Sequence, residues 1–156
     1  IKTQVPSVFD EISVRENVWL ASRRHHNRRT ANRVTEEVIE RVGLGDVRGA
    51  TVGRLAHGER QWVEIAMVLT SNPMLLLLDE PTAGMTLEET DQTATLIREI
   101  SRSASLIVVE HDMQFIKEIA NKVTVFHQGS ILIEDSVEAV MNNSVVRDIY
   151  LGKENS

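Results

Sequence analysis

The sequence has 156 residues, a net charge of −6, 42% apolar and 26% charged residues, and no cysteine. Its length suits one ordinary domain with a real core, and the lack of cysteine excludes disulfides and thiolate metal sites. No apolar run reaches the ~18 residues of a membrane span. Aromatic residues make up 4% of the chain, too few for the interleaved basic and aromatic side chains of a nucleic-acid surface. The first residue is Ile1, and we expect a fragment or a processed chain.

The amino-terminal part is basic, whereas the rest of the chain is acidic. Residues 1–35 carry seven Lys or Arg and three acids, which leaves a charge of −10 for the remainder. Residues 1–9 are predicted to be extended, and residues 10–17 a polar connector. A helical pattern starts at Val18 and runs into a basic cluster that could face anionic lipid, an acidic partner or water. The members of this cluster are Arg23, Arg24, His25, His26, Arg28 and Arg29.

The segment around Gly58 can be interpreted as the start of a helix that binds phosphate. Residues 35–42 are predicted to be helical, and residues 46–54 form a connector. A second helix follows Gly58, because apolar residues then recur with helical spacing at Trp62, Ile65, Ala66 and Leu69. A glycine at a helix start offers free N–H groups to an anion. The alternative is an ordinary glycine N-cap.

The run from Leu75 to Leu78 predicts a strand buried on both faces, as in a parallel sheet covered by helices. Asp79 and Glu80 follow it at once, at the carboxyl end where open α/β sheets bind ligands. One carboxylate could hold Mg²⁺ and the other could orient or deprotonate a water molecule. The alternative is a strand that ends in an acidic turn.

A second strand is predicted to bring polar groups to the same edge of the sheet. Thr86 and Glu89 form a capping-box pattern that opens a helix to about residue 102. Residues 105–109 are a second apolar strand, followed by Glu110, His111 and Asp112. His111 could donate a hydrogen bond to a phosphate oxygen, or it could be an ordinary turn histidine.

The remaining elements complete an α/β pattern. Asp112 is predicted to cap a helix, and residues 122–127 and 131–134 to form a hairpin around Gln128 and Gly129. Two short helices follow at about residues 137–141 and 145–150. Strands that alternate with helices indicate an α/β fold.

Taken in order, these segments resemble the ATP-binding subunit of ABC transporters. Gly58 lies 21 positions before Asp79, and His111 lies 31 positions after Glu80, as the family pattern requires. Gln4 matches the Q-loop glutamine, and the family signature is matched by Leu55, Ala56, His57, Gly58 and Glu59. Residues 75–79 match Walker B, and Glu80 matches the catalytic glutamate that follows it. The D-loop is matched by Ala83, Gly84, Met85 and Thr86, and the switch histidine by His111.

The resemblance implies the carboxyl-terminal part of a P-loop NTPase domain, an α/β fold with a helical subdomain. Residues 1–156 would form a partial nucleotide-binding domain. Within it, about 10–55 would be the helical subdomain, about 56–135 the later part of the α/β core, and about 136–156 the carboxyl-terminal helices.

The resemblance also implies an ATPase that uses ATP and Mg²⁺. Asp79 and Gln4 would hold Mg²⁺, Gln4 through water. Glu80 would polarise the attacking water, and His111 would contact the γ-phosphate. The signature and the D-loop residues Gly84 and Thr86 would act on ATP held by a second subunit.

The implied partners are transmembrane permease subunits, a second ATPase subunit and, indirectly, a solute-binding protein, with no nucleic acid. The protein would then be peripheral, on the cytoplasmic face of the membrane. Alternatives are a soluble ABC-type ATPase of DNA repair or translation, or a non-catalytic fragment. The soluble DNA-repair type would carry long coiled coils, and no sustained heptads occur here.

Three features depart from the family pattern. No G-x-x-x-x-G-K-[ST] phosphate loop is present; it would lie upstream of Ile1, so we expect this chain alone to be inactive. Ala56 lacks the usual signature hydroxyl, and Glu59 brings a charge where glutamine is usual. Thr86 replaces the D-loop aspartate.

Within the family, the sequence is most similar to the ATPases of branched-chain amino acid and urea uptake systems. The Q-loop run from Gln4 to Phe9, the loop at residues 83–86 and the ending at residues 150–153 fit that branch. His57 and Gly58 with the following helix look most like the urea members. The transported substrate itself cannot be inferred from these residues.

Overall fold

A computed structural model describes residues 8–151 of the protein. Gln4 and residues 152–156 lie outside the described residues. The chain divides into two compact units, with the boundary between Glu110 and His111, and each unit is described by itself. Within the described range, no helix has both the length and the apolar character needed to cross a bilayer.

The first unit begins with two packed helices, α1 (Val14–Arg23) and α2 (Arg28–Arg41). Ser13 caps α1 in a capping box with Glu16, and Asn27 caps α2. The predicted connector at residues 10–17 was therefore wrong in its second half, because the capping box starts the helix at Val14. The predicted helix at residues 35–42 is the second half of α2.

The arginine patch, which we define as Arg23, Arg24, Arg28 and Arg29, spans the junction of α1 and α2. Its four side chains are exposed. The Arg23 guanidinium carbon lies 5.9 Å from the centroid of the Trp19 ring. The patch therefore occupies two helix ends and the turn between them, rather than one helix face.

Four elements of the first unit carry the predicted ATPase motifs. They are α3 (His57–Leu69), β1 (Leu75–Asp79), α4 (Leu87–Ile100) and β2 (Ser105–Val109), and a short 3-10 helix (Val52–Arg54) precedes them. β1 and β2 pair in parallel, with Leu75 opposite Ser105 and Asp79 opposite Val109. The apolar residues with helical spacing on α3 are all buried, namely Trp62, Ile65, Ala66 and Leu69, and α4 buries Thr93, Leu96, Ile97 and Ile100.

The prediction that this sheet is buried on both faces was wrong for the described residues. Leu76 and Leu78 are buried, but Leu75 is 51% exposed, Ile107 is 54% exposed and Val109 is 59% exposed. Side chains alternate between the two faces of a strand, so this alternation in exposure means that one face is covered and the other is not.

The second unit is built around an antiparallel hairpin. Its elements are α5 (Met113–Ile119), β3 (Lys122–His127), β4 (Ser130–Ser136), α6 (Val137–Asn142), α7 (Ser144–Val146) and a π-helical turn (Arg147–Leu151). The hairpin packs with α6 and α7 through Val125, Val140 and Val146. Asp112 caps α5 as predicted, and the buried side chain of that helix is Phe115.

Candidate functional site

The two predicted catalytic and metal-binding carboxylates lie at the carboxyl end of β1. Asp79 is the last residue of the strand and is half-buried. Glu80 follows with φ of 44°, a left-handed conformation that is uncommon for residues other than glycine. Its N–H donates to the Val109 carbonyl at 2.8 Å. A strained backbone held in place by its neighbours is a frequent property of functional positions.

The loop after Glu80 is fixed by side chains that the sequence interpretation did not assign to the site. Glu110 Oε1 accepts hydrogen bonds from the Thr82 N–H at 3.1 Å and the Thr82 hydroxyl at 2.5 Å. The buried Gln61 amide donates to the Pro81 carbonyl at 3.1 Å. The loop is thereby joined both to the end of β2 and to the first turns of α3. For Glu110, its place directly after the second apolar strand was the available signal.

The N-cap of α3 is not Gly58, which was one alternative suggested by the sequence. Ala56 is the N-cap residue, and Gly58 is the second residue of the helix and is buried. Ala56 has no side-chain acceptor, but its N–H donates to Glu59 Oε2 at 3.0 Å. Glu59, one of the departures from the family pattern, therefore stabilises the helix start as the third residue of a capping box does.

The signature and the D-loop contact each other within the first unit. The Gly58 N–H donates to Glu89 Oε1 at 3.2 Å, and a Cβ on Gly58 would lie 2.7 Å from that oxygen. A Cβ on Gly84, whose φ is +74°, would lie 3.5 Å from the His57 ring. Both glycines thus stand at close approaches between the two motifs.

Glu89 belongs to the cap of α4 as well. Thr86 is the N-cap residue of α4, and Glu89 Oε2 accepts from the Thr86 N–H at 2.8 Å and the Thr86 hydroxyl at 3.0 Å. The Thr86 backbone hydrogen bond is the main cause that lowers the pKa of Glu89, and the Gly58 N–H and the nearby His57 lower it further. Glu89 is therefore a carboxylate at neutral pH.

A cavity of about 390 Å³ lies beside the signature. Among the lining residues, Arg60 forms an ion pair of 2.7 Å with Asp10, and Gln61 and Glu64 are buried. His57 and Leu55 complete the lining. The start of α3 is thus both open to a ligand and polar.

A buried hydrogen bond fixes α3 against α4. The Trp62 indole N–H donates to the Thr93 hydroxyl at 2.9 Å, and that hydroxyl donates to the Glu89 carbonyl at 2.8 Å. Thr93 is fully buried and Trp62 is 9% exposed. This hydrogen bond therefore joins the helix that begins in the signature to the helix that follows the D-loop.

One set of predicted site residues lies within the first unit. Asp79 and Glu80 lie in the same unit as the contacting signature and D-loop. His111 is the first residue of the second unit and is exposed, and Gln4 lies outside the described residues. Among residues 8–151, no three His, Cys, Asp or Glu side chains group as a metal cage. Mg²⁺ needs only one or two carboxylates when phosphates supply further ligands, so Asp79 and Glu80 fit that ion.

Comparison with known proteins identifies the family. The sequence profile of the ABC transporter family matches residues 1–83, which is more than half of the chain. The chain belongs to the ABC transporter family.

Curated relatives of the chain are ATP-binding proteins of branched-chain amino acid transport. It is 30% identical to the high-affinity branched-chain amino acid transport ATP-binding protein BraF of Pseudomonas aeruginosa, over 94% of this chain and 64% of the relative. It is 33% identical to LivG of Escherichia coli, which bears the same description, over 74% of this chain and 46% of the relative. The chain therefore spans less than two thirds of the length of these relatives.

Solved structures confirm the predicted α/β fold of an ABC ATPase. An ATP-binding cassette of an ABC transporter in its ADP conformation superposes with a TM-score of 0.82 at 20% identity, over 96% of this chain and 66% of that chain. The protein cbiO1 of Clostridium perfringens, part of an ABC transporter complex, superposes with a TM-score of 0.80 at 23% identity, over 93% of this chain and 59% of that chain.

Proposed function

We propose that the protein is the ATP-hydrolysing subunit of an ABC importer for branched-chain amino acids or urea. The observation that carries the proposal is the position of Glu80. It follows Asp79 at the carboxyl end of β1, in a left-handed conformation, in a chain of the ABC transporter family. That edge is where α/β sheets bind their ligands.

The two carboxylates would divide the work. Asp79 would hold Mg²⁺, and the ion would neutralise negative charge on the phosphates. Glu80 would orient the attacking water and take up its proton, and a general base contributes typically 10²–10⁴ in rate. The hydrogen bonds of Thr82 with Glu110 and of Gln61 with Pro81 hold the loop that follows Glu80. These bonds support a fixed position for the base, because phosphoryl transfer depends on positioning.

The signature would act on ATP held by a second subunit. Gly58 places a backbone N–H at the start of the 13-residue α3, where the helix dipole favours an anion. Ala56 cannot add the usual hydroxyl, so this contact would rest on the backbone. Gln4 and His111 would sense Mg²⁺ and the γ-phosphate, and Gly84 and Thr86 would contact the second subunit.

The partners would be transmembrane permease subunits and, through them, a solute-binding protein, with this subunit peripheral on the cytoplasmic face of the membrane. The exposed arginine patch supports an anionic surface nearby. The relatives are named as transport proteins, so the soluble ABC-type ATPase has less support. The urea alternative is supported only by His57, Gly58 and the helix that follows them.

Uptake by the assembled transporter would test this proposal. The full-length protein and the permease genes beside it would be expressed in a strain that lacks its own uptake systems, and labelled leucine and labelled urea would be offered separately. We expect ATP-dependent uptake of one of the two, which is lost with Asp79→Asn and kept with Asp91→Asn, an exposed acid on α4. Uptake of neither substrate would contradict the proposal.

A further inference from the structure

A single carboxylate, that of Glu89, serves the starts of two helices. Its Oε2 accepts both hydrogen bonds from Thr86, at 2.8 and 3.0 Å, which completes the cap of α4. Its Oε1 accepts the Gly58 N–H at 3.2 Å, at the start of α3. The two oxygens thus have separate tasks, and the cap of α4 does not need the contact with Gly58.

The Gly58 N–H is also the group that, in the proposed function, meets the ATP held by the second subunit. An N–H group has one hydrogen to donate, and the positive end of α3 attracts any anion that reaches it. In this structure the anion is a side chain of the same chain. A phosphate oxygen can take this N–H only after Glu89 Oε1 has left it.

We propose that Glu89 is an internal competitor for the phosphate site at Gly58 and thereby sets the affinity of the signature for ATP on the second subunit. This inference rests on the proposed function. Glu89 is a positioning residue, since it acts through Gly58 and does not touch the reacting atoms.

Two further observations support competition by a movable group. The Cβ that Gly58 lacks would meet the Glu89 side chain at 2.7 Å, at its carboxylate end, so the space beside the glycine is filled by a group that can rotate away. The D-loop residue Gly84 lies near the His57 ring, which an added Cβ would approach to 3.5 Å, so the loop that precedes Glu89 and the signature are neighbours.

Three substitutions in the full-length protein separate competition from helix capping. Glu89→Gln removes the charge but keeps a residue suited to the third position of a capping box. Glu89→Asp keeps the charge but is one methylene too short to serve both helices. Glu88→Gln is the matched control, because Glu88 lies in the same first turn of α4 and is exposed.

Steady-state ATP hydrolysis gives the first readout. We expect both Glu89 variants to lower the KM for ATP by roughly threefold to tenfold with kcat within about twofold, because neither the single carbonyl oxygen of glutamine nor the shorter aspartate can hold the Gly58 N–H while it caps α4, which frees a phosphate contact. The Glu88→Gln variant should keep the wild-type KM. The second readout is light scattering in a Glu80→Gln background, where the ATP concentration for half-maximal dimer formation should fall by a similar factor.

Each outcome decides the inference. If the Glu89 variants match Glu88→Gln in KM and in dimer formation, or raise the ATP requirement, Glu89 is only a cap of α4 and the inference is wrong. A lower melting temperature with an unchanged KM leads to the same conclusion. If the wild-type protein neither hydrolyses ATP nor dimerises with it, the proposed function itself fails, which is a different result.

Discussion

The Thr82 hydroxyl donates a hydrogen bond of 2.5 Å to Glu110 Oε1, and the Thr82 N–H donates to the same oxygen at 3.1 Å. Thr82 follows β1 and Glu110 follows β2, so this pair joins the carboxyl ends of the two parallel strands. The loop that carries Glu80 is therefore fixed to its neighbouring strand by a side chain as well as by the sheet.

Removal of the Thr82 hydroxyl should loosen this loop. Thr82→Val keeps the shape of the side chain but removes the hydroxyl hydrogen bond to Glu110 Oε1, at a cost of about 1.5–3 kcal/mol in the free energy of unfolding. Urea denaturation would measure the loss, and ATP turnover should fall with it. Thr95→Val is the control, because its hydroxyl bonds only within the exposed face of α4. A Thr82→Val protein as stable as wild type would contradict this role.

The packing of α3 on α4 should depend on the buried Thr93 hydroxyl. Thr93→Val leaves the Trp62 indole N–H buried without its acceptor, which costs about 1–3 kcal/mol. Thr93→Ser, which keeps the hydroxyl, should lose less. The free energies of unfolding of the two variants decide the matter, and equal stability of Thr93→Val and wild type would refute the prediction.

The cap of α1 should respond to acid. Glu16 accepts hydrogen bonds from the Ser13 hydroxyl at 2.7 Å and the Ser13 N–H at 2.8 Å, and the hydroxyl bond is the main cause that lowers the pKa of Glu16. Because the folded pKa is lowered, the stabilisation is fully present above the ordinary carboxyl pKa and is lost as pH falls through the folded value.

An NMR titration of the Glu16 carboxyl carbon would test this direction. Ser13→Ala should move the pKa of Glu16 upwards, towards the ordinary value of a glutamate. The hydrogen bond from the Ser13 backbone remains in that variant, so the return should be partial. A titration midpoint that does not change in Ser13→Ala would show that the hydroxyl has no effect.

The arginine patch should matter for assembly rather than for hydrolysis. Reversal of its four charges to glutamate should reduce co-purification with the permease and binding to vesicles of anionic lipid, because each basic residue near such a surface contributes about 1 kcal/mol. Reversal of Arg54 and Arg102, which are also exposed, is the control. If the patch variant still assembles and binds vesicles as wild type does, the patch is only a solvated face.

The sequence predicted the helices and strands best where local signals were strong. The capping box of Thr86 and Glu89, the Asp112 cap and the apolar spacing on α3 all identified their elements, because these signals depend on residues three or four positions apart. The start of α1 was missed although Ser13 and Glu16 have the same capping pattern. The exposed face of β1 was missed because an apolar run does not tell which neighbours cover it.

The sequence allows the residues of the candidate site to be proposed, but not the contacts between them. The carboxylates, the signature and the D-loop could be proposed from the order of their motifs along the chain. The bonds of Glu89 with Gly58 and of Glu110 with Thr82 join residues 31 and 28 positions apart, so no local pattern reveals them. They arise from the packing of α3, α4 and the two strands.

Phosphate release by the Glu80→Gln variant of the full-length protein tests whether Glu80 is the general base for ATP hydrolysis. The glutamine keeps the size and position of the side chain but cannot accept the proton. We expect hydrolysis to fall by about 10²–10⁴ while ATP binding is retained. Hydrolysis at the wild-type rate by Glu80→Gln would contradict it.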